Sequence, residues 1–261
     1  MIFFNGNFYN EKIPFRVNEG LMYGQGVFET LKVTDGKIEF FNMHYERLLE
    51  GCKILNINFD YSEKKLLNTS NEVININKDF NGSLKINVLK NRNSYDIIIS
   101  SSAKKYNKKL KNEGYKVIFA ENRRFSKNIL NRIKSNNYYI NILELERAKK
   151  LNKNEAIFLN EKDEITEGTV SNVFFVKDNE IYTPTLSCGL LNGIIRKILI
   201  TEFNVKEVII KKEDVYEFDF AFLTNSLMRI MPIKIFEDIE YNFDYNYIQD
   251  LEYNIINLGF K

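Results

Sequence analysis

The chain has 261 residues, 44% of them hydrophobic and 28% charged, with a net charge of +2. This balance is typical of a folded globular protein with one large or two small domains, and it argues against a disordered chain and against a nucleic-acid-binding protein. No run approaches the ~20 apolar residues of a membrane span, and two distant cysteines predict neither a disulfide framework nor a zinc site.

The sequence pattern of the first half of the chain predicts strands with helices between them. The N-terminal "MIFFNGNFY" reads as a strand with an Asn-Gly turn. It lacks the basic flank and long apolar run of a signal peptide, so we expect a cytoplasmic protein. Asp35-Gly36, between Val33 and Ile38, predicts a tight hairpin. Helices are predicted over 43–55 and in "SEKKLLNTSNEVININK", followed by two strands around a polar turn at 90–94.

A change of character near residue 120 suggests a domain boundary. The basic stretch 103–114 predicts a solvated loop, and "AENRRFSKN" is polar and irregular. We therefore predict two α+β domains, residues 1–120 and 121–261, with a cleft between them.

The second half opens with a predicted helix in which Tyr139, Ile142, Leu145, Ala148 and Leu151 recur every three residues as an apolar stripe. A run of strands follows through "EAIFLNEKDEITEGTVSNVFFVKDNEIYTP". A helix is then predicted from Gly193, two strands around the loop of "FDFAFLTNSLMRIMPIKIF", and a C-terminal helix.

Four stretches contain candidate chemistry, and each also has a purely structural interpretation. Lys134, before a helix, could be a nucleophile or an ordinary surface lysine. Glu167 could hold a positive charge or belong to a β-turn. The helix after Gly193 could seat a phosphate on the N–H groups of Ile194 and Ile195, or simply begin there. Arg47 could bind a phosphate or lie on a solvated helix face.

The single histidine, His44, limits the possible mechanisms. It alone would have to serve any Ser-His-Asp or Cys-His arrangement, and a zinc site built from several histidines is impossible. We therefore expect another residue type to transfer protons, and we predict no metal site.

Taken together, these motifs resemble the class IV aminotransferases, the fold-type IV pyridoxal-phosphate enzymes. The resemblance covers nearly the whole chain, through "GLMYGQGVFETLKVTDGKIEFFNMHYERL", "IKSNNYYINILELERA", "DEITEGTVSNVFFV", "IYTP" and "GLLNGIIRKIL". It implies a two-domain α+β fold similar to D-amino-acid aminotransferases, with the cofactor in the interdomain cleft and its lysine in the C-terminal domain. It also implies a homodimer. Gln25 replaces the aspartate of the family's Tyr-Gly-Asp-Gly segment.

The resemblance implies a role for each matching residue. Lys134 would carry pyridoxal 5′-phosphate covalently and shuttle protons, and Glu167 would pair with the pyridine nitrogen. Arg47 and the backbone amides of Ile194 and Ile195 would bind the phosphate. Tyr138 would lie near the cofactor ring, and Thr224 and Asn225 near the phosphate and the small-molecule substrate.

The loop in "LTNSLMRIMPI" resembles that of the aminodeoxychorismate lyases within the family. It implies the conversion of 4-amino-4-deoxychorismate to 4-aminobenzoate and pyruvate, on the route to folate. The alternative is an aminotransferase for branched-chain or D-amino acids with 2-oxoglutarate. The Arg-x-His element of D-amino-acid aminotransferases is not evident in "LKNRNSYD", where Lys90 or Arg92 could bind a carboxylate instead.

Overall fold

The computed structural model of the protein describes residues 1–10, 12–103 and 108–259. The chain forms two compact units, Met1–Tyr106 with Ile133–Asn137, and Asn107–Arg132 with Tyr138–Lys261. The α+β class is confirmed by a sheet and helices in each unit. The domain ranges 1–120 and 121–261 stay a prediction. The compact units differ from them because residues 107–120 belong to the second unit and Lys134 belongs to the first.

The first unit contains, within the described ranges, a six-stranded sheet in the order β2-β1-β6-β5-β3-β4. All neighbouring strands are antiparallel. The strands are β1 (Ile2–Phe4), β2 (Asn7–Tyr9), β3 (Gly26–Thr34), β4 (Lys37–Ile38), β5 (Gly82–Asn91) and β6 (Ser94–Ser102).

The predicted hairpin is confirmed at the β3–β4 connection. Val33 pairs with Ile38 and Thr34 with Lys37. The two residues of the turn, Asp35 and Gly36, have φ of 50° and 77°. Two left-handed residues give a turn whose twist matches that of the strands, which is why Asp-Gly is favoured there.

Three helices accompany this sheet in the described part of the first unit: α1 (Glu19–Tyr23), α2 (Phe41–Ile54) and α3 (Glu63–Asn77). The prediction missed α1 and found the other two. Asn18 begins α1 by accepting a hydrogen bond from the N–H of Leu21 at 2.8 Å. Leu48 of α2 and Leu66 of α3 are at most 2% exposed, so these helices bury one apolar face each.

The second unit contains a nine-stranded sheet among its described residues, in the order β12-β11-β10-β13-β14-β7-β8-β9, with β15 paired to β14. The strands are β7 (Tyr115–Phe119), β8 (Glu155–Leu159), β9 (Ile165–Gly168), β10 (Asn172–Lys177), β11 (Glu180–Pro184), β12 (Lys206–Val208), β13 (Phe220–Asn225), β14 (Arg229–Phe236) and β15 (Ile239–Glu240). The predicted run of strands and the pair around the 226–228 loop are confirmed.

The helices of the second unit are α4 (Lys108–Glu113), α5 (Tyr139–Lys150), α6 (Ile194–Glu202) and α7 (Tyr245–Leu258). The prediction of a loop over 103–114 is wrong for 108–113, where lysine, leucine and glutamate favour a helix. Lys111 of α4 forms an ion pair with Glu252 of α7. Residues 104–107 of that stretch lie outside the described residues. No helix of the described part is long and apolar enough to span a membrane.

Helix α5 is present as predicted, but of its apolar stripe only Ala148 is buried in the core. Tyr139 is 73% exposed and Ile142 42%, whereas Asn141 and Glu144 are buried together with Ala148. A repeat of three residues drifts around a helix of ~3.6 residues per turn, so the stripe winds over the surface. The buried face of α5 is largely polar as a result.

Candidate active site

Lys134 is held beside strand β3 of the first unit by its backbone. Its carbonyl accepts a hydrogen bond from the N–H of Phe28 at 2.9 Å, and the N–H of Asn136 donates to Gly26 at 2.9 Å. The Nζ atom of Lys134 lies 4.6 Å from the centre of the Phe28 ring, a cation–π distance. Lys134 is half-buried, so it is not an ordinary solvated surface lysine.

Two glycines of the "YGQG" segment allow the segment that carries Lys134 to come this close to β3. A Cβ on Gly26 would lie 2.6 Å from the side-chain nitrogen of Asn136 and 2.9 Å from the carbonyl of Val88. Gly24 ends α1 with φ of 66°, a conformation that favours glycine. The glycines of this motif therefore have a structural reason, which is the close approach of the segment that carries Lys134.

Arg47 belongs to a buried cluster with Glu29 and His44. Nε and Nη2 of Arg47 donate to the two carboxylate oxygens of Glu29 at 2.8 and 2.6 Å. Nδ1 of His44 lies 2.6 Å from Oε2 of Glu29. Burial alone would raise the pKa of Glu29, but the charges of Arg47 and His44 outweigh it and lower this pKa to about 2. The paired geometry fixes the guanidinium of Arg47 in one orientation.

Glu29 is a residue that the sequence analysis did not select. It lies in the "FET" part of the quoted motif, on a strand whose first four residues are all buried. A glutamate within an apolar strand, with a histidine and an arginine three residues apart on the following helix, was the available signal. Nothing local shows that the three side chains meet.

Replacing Glu29 by glutamine is expected to lower stability by roughly 3 kcal/mol at pH 7 and to flatten its dependence on pH. The folded-state pKa of Glu29 lies below the ordinary 4.5, so its contribution is complete above pH 4.5 and is lost as pH falls towards 2. Burial also lowers the pKa of His44 below 6.5, which adds a loss on acidification that begins below pH 6.5. Urea unfolding from pH 7 to pH 3 measures both effects.

The exposed Glu50 of the same helix supplies the matched control. Glu50→Gln should leave both the free energy of unfolding and its pH dependence close to those of the unmodified protein. A Glu29→Gln variant with an unchanged pH dependence would show that the cluster does not stabilise the first unit.

In the second unit, Glu167 is the penultimate residue of strand β9 and is 6% exposed. Nη2 of Arg124 lies 3.1 Å from its Oε1, and the side-chain amide of Asn172 donates to its Oε2 at 3.4 Å. Arg124 in turn lies over the Phe158 ring, 4.5 Å from its centre. In the sequence, Arg124 lies in a polar stretch without a recognisable partner, because Glu167 is 43 residues further along the chain.

Asn172 links Glu167 to the start of α6 and to Thr224. Besides Glu167, its amide donates to the carbonyl of Leu191 at 2.9 Å, just before α6. Asn172 is the cross-strand partner of Thr224 in the β10–β13 pair. A Cβ on Gly193 would collide with the Asn172 side chain, so a glycine is required where α6 begins.

The start of α6 and Thr224 both present unused donors to this region. Gly193 is extended and supplies no side-chain cap, so Ile194 and Ile195 follow it with the N–H groups of a first helical turn. Thr224 is 1% exposed, and among the described residues its Oγ1 is buried without a hydrogen-bond partner. Buried donors of this kind are what an anionic oxygen would satisfy.

Tyr138 and Asn225 are both tied to the turn after Glu167. The hydroxyl of Tyr138 donates to the carbonyl of Thr169 at 2.7 Å. Burial, with Glu167 and Glu155 nearby, raises the pKa of Tyr138, so its hydroxyl remains protonated. The amide of Asn225 donates to the carbonyl of Val170 at 3.1 Å, and its Oδ1 accepts from the backbone of the 226–228 loop.

The structure therefore places the predicted residues in two groups. The first unit holds Lys134 and Arg47, and the second holds Tyr138, Glu167, Ile194, Ile195, Thr224 and Asn225. Within the described ranges, no group of three or more His, Cys, Asp and Glu side chains could hold a metal ion.

Comparison with known proteins gives matches over most of the chain. A family model described as amino-transferase class IV matches residues 26–236. The aminodeoxychorismate lyase of Bacillus subtilis (strain 168) is 31% identical over 265 residues, 92% of this chain and 88% of the lyase. A D-alanine aminotransferase of Staphylococcus haemolyticus is 29% identical over 239 residues, 86% of this chain and 82% of that protein. The structure of 4-amino-4-deoxychorismate lyase from Pseudomonas aeruginosa has the same fold, with a TM-score of 0.84 at 21% identity over 97% of this chain and 98% of that one.

Proposed function

We propose that this chain, which belongs to the amino-transferase class IV family, is a 4-amino-4-deoxychorismate lyase that forms 4-aminobenzoate and pyruvate. The enzymes of this family use pyridoxal 5′-phosphate. The observation that carries the proposal is the match to the Bacillus subtilis lyase over nearly the whole length of both chains. The sequence of the "TNSLM" loop, which resembles that of the aminodeoxychorismate lyases, also supports it. Asn225 holds this loop by accepting from the N–H groups of Leu227 and Met228.

The residues of the chain fit the cofactor. The buried hydroxyl of Thr224, without a partner among the described residues, and the first-turn N–H groups of α6 suit the phosphate. The buried carboxylate of Glu167 suits the protonated pyridine nitrogen, and the amine of Lys134 suits the aldehyde. Arg47 is assigned to the phosphate and Tyr138 to the ring by resemblance.

When bound, pyridoxal 5′-phosphate supplies an electron sink next to the carbon that bears the substrate amine. Lys134 takes the proton from that carbon through Nζ. The C–O bond to the enolpyruvyl group then breaks, the ring becomes aromatic as 4-aminobenzoate, and the enolpyruvate gains a proton to become pyruvate. Glu167 would hold the protonated pyridine nitrogen through its carboxylate. No second substrate is required.

The alternative is an aminotransferase, which would use the same first proton transfer by Lys134. Relatives named D-alanine aminotransferase match at nearly the same identity as the lyase. One observation disfavours the D-amino-acid reaction. The only histidine, His44, is 2% exposed and lies against Glu29, so it is not available for the Arg-x-His element. Arg92 lies at the tip of the β5–β6 hairpin, where its N–H donates to Glu19.

The rates with the two classes of substrate test the proposal. The cofactor-loaded protein is given 4-amino-4-deoxychorismate, and 4-aminobenzoate is followed by fluorescence. In parallel it is given D-alanine or L-leucine with 2-oxoglutarate, and keto acid is followed. We expect faster formation of 4-aminobenzoate. Keto acid formation without 4-aminobenzoate would assign the chain to the aminotransferases and would leave the role of Lys134 unchanged.

We further propose a homodimer in which a second copy covers the outer face of α5. Four neighbouring residues of this helix are apolar and exposed: Tyr139 by 73%, Ile140 by 44%, Ile142 by 42% and Leu143 by 39%. A helix that buries its polar face and exposes an apolar one is typical of an interaction surface.

Replacing Ile142 by glutamate is expected to convert the dimer to a monomer, because a charge would then have to be buried at the apolar contact. Light scattering on a sizing column distinguishes the 30.9 kDa chain from its dimer. The control is Lys149→Glu, at an exposed position of the same helix. A monomeric unmodified protein, or a dimer unaffected by Ile142→Glu, would contradict this assignment.

A further inference from the structure

The turn at residues 168–171, which follows Glu167, is built around a buried carboxylate that the proposed chemistry does not use. Glu155, the first residue of β8, is 1% exposed. Its Oε1 accepts from the N–H of Ala156 and of Thr169, each at 3.0 Å, and from the Thr169 hydroxyl. Its Oε2 accepts from the Ser171 hydroxyl at 2.9 Å and from the N–H of Val170 at 3.4 Å. All of these donors are uncharged.

Glu155 lies so close to the turn that position 168 requires a glycine. A Cβ on Gly168 would lie 3.1 Å from the carboxyl carbon of Glu155 and would collide with the Ser171 hydroxyl. The N–H of Gly168 also donates to the Ser171 carbonyl at 2.7 Å, which closes the turn. The carboxylate thus occupies the inside of the turn and determines its shape.

The carbonyl groups of the same turn accept hydrogen bonds from residues of the proposed site. The carbonyl of Thr169 accepts from Tyr138 and from Asn141, each at 2.7 Å. The carbonyl of Val170 accepts from Asn225 at 3.1 Å. A rotation of the peptide groups in this turn would therefore move the acceptors of Tyr138 and Asn225 together, and would displace the chain directly after Glu167.

We propose that Glu155 is a positioning residue that acts through the 168–171 turn to set the places of Glu167, Tyr138 and Asn225. The inference rests on the proposed function insofar as these three residues contact the cofactor or the substrate. Side chains that touch a ligand need to be held in place by other residues. In metal centres, loss of such supporting residues commonly weakens metal affinity or activity by about 10- to 100-fold.

The test uses Glu155→Gln with Glu144→Gln as its matched control. A glutamine at 155 would turn an NH2 group towards donors that need an acceptor. Glu144 is also 1% exposed and accepts from backbone N–H groups, those of Glu121 at 3.2 Å and Asn122 at 2.9 Å, but it does not hold the turn. Both variants should lose stability, so thermal unfolding alone does not separate them.

Two readouts separate positioning from stability. Hydrogen exchange in the cofactor-free protein should quicken at the Val170 amide in Glu155→Gln, and less at the Thr169 amide, because that N–H also donates to the Ala156 carbonyl at 3.1 Å. Exchange at both amides should stay unchanged in Glu144→Gln. Titration of the cofactor-free proteins with pyridoxal 5′-phosphate should show affinity at least about tenfold weaker for Glu155→Gln alone. Thr169→Val should lose part of the cofactor affinity. Thr169→Ser keeps a hydroxyl and should bind the cofactor as the unmodified protein does. These two variants keep the proposal testable if Glu155→Gln does not fold.

Equal losses of cofactor affinity in the two glutamine variants would overturn the proposal, because they would reflect stability alone. So would unchanged exchange at 169 and 170, or unchanged affinity in both Glu155→Gln and Thr169→Val. Failure of the lyase reaction is a separate result, since neither readout measures turnover. A protein without 4-aminobenzoate formation but with the selective loss in Glu155→Gln would retain this inference and lose the proposed reaction.

Discussion

Replacing Lys134 by alanine is expected to abolish covalent attachment of pyridoxal 5′-phosphate and to lower turnover by at least about 10²- to 10⁴-fold, the usual contribution of a positioned proton-transfer group. The reason is that one amine has both roles in the proposed reaction, attachment and proton transfer. Its backbone is fixed along β3 by Phe28 and its Nζ lies over the Phe28 ring. No change of the fold is expected, because the backbone hydrogen bonds of residues 134–136 do not depend on the side chain.

Attachment is measured without any turnover assay. The cofactor-loaded protein is reduced with borohydride and digested, and the peptide that gains the cofactor mass is identified. The modified peptide should contain Lys134 and be missing from Lys134→Ala. Lys127→Ala, at an exposed position of the preceding segment, should behave as the unmodified protein does. A cofactor found on another lysine would show that Lys134 had been assigned wrongly.

Replacing Glu167 by glutamine should lower turnover about 10- to 100-fold, the value of one charge-assisted hydrogen bond of roughly 1.5–3 kcal/mol. A neutral amide cannot keep the pyridine nitrogen protonated, so the electron sink is weakened. The variant also leaves Arg124, half-buried 3.1 Å from Glu167, without its counter-charge. We therefore expect a lower melting temperature as well as slower turnover.

Turnover and stability can be separated for Glu167 by a second variant. Arg124→Gln in the Glu167→Gln background removes the stranded charge and should recover part of the stability but none of the turnover. Glu202→Gln, at an exposed position near the end of α6, is the surface control. Full turnover in Glu167→Gln, with an unchanged spectrum of the bound cofactor, would exclude the pairing with the pyridine nitrogen.

The elements that the sequence predicted well are those whose signal is local. Asp35-Gly36 predicts its hairpin because two left-handed residues are needed at that turn. The start of α6 at Gly193 and the strands of the second unit follow from similar local patterns. The short α1 was missed because five residues carry too little periodicity.

The parts that could not be predicted depend on partners far along the chain. Glu29 contacts Arg47, Arg124 contacts Glu167, and Glu155 contacts the Thr169 turn because the folded chain brings these residues together. The sequence also did not predict the orientation of α5, because the apolar repeat that predicts the helix does not indicate which of its faces is buried. The family resemblance supplied the proposed site residues, and the structure supplied the residues that contact them.

Turnover in the absence of any amino acceptor tests the central claim most directly. The cofactor-loaded protein is mixed with an excess of 4-amino-4-deoxychorismate and nothing else, and 4-aminobenzoate and pyruvate are both counted per site. A lyase regenerates its cofactor in each cycle, so we predict equal amounts of the two products over many turnovers. If product formation stops after one equivalent per site, or if no 4-aminobenzoate forms, the result would contradict the proposed lyase reaction and favour an aminotransferase.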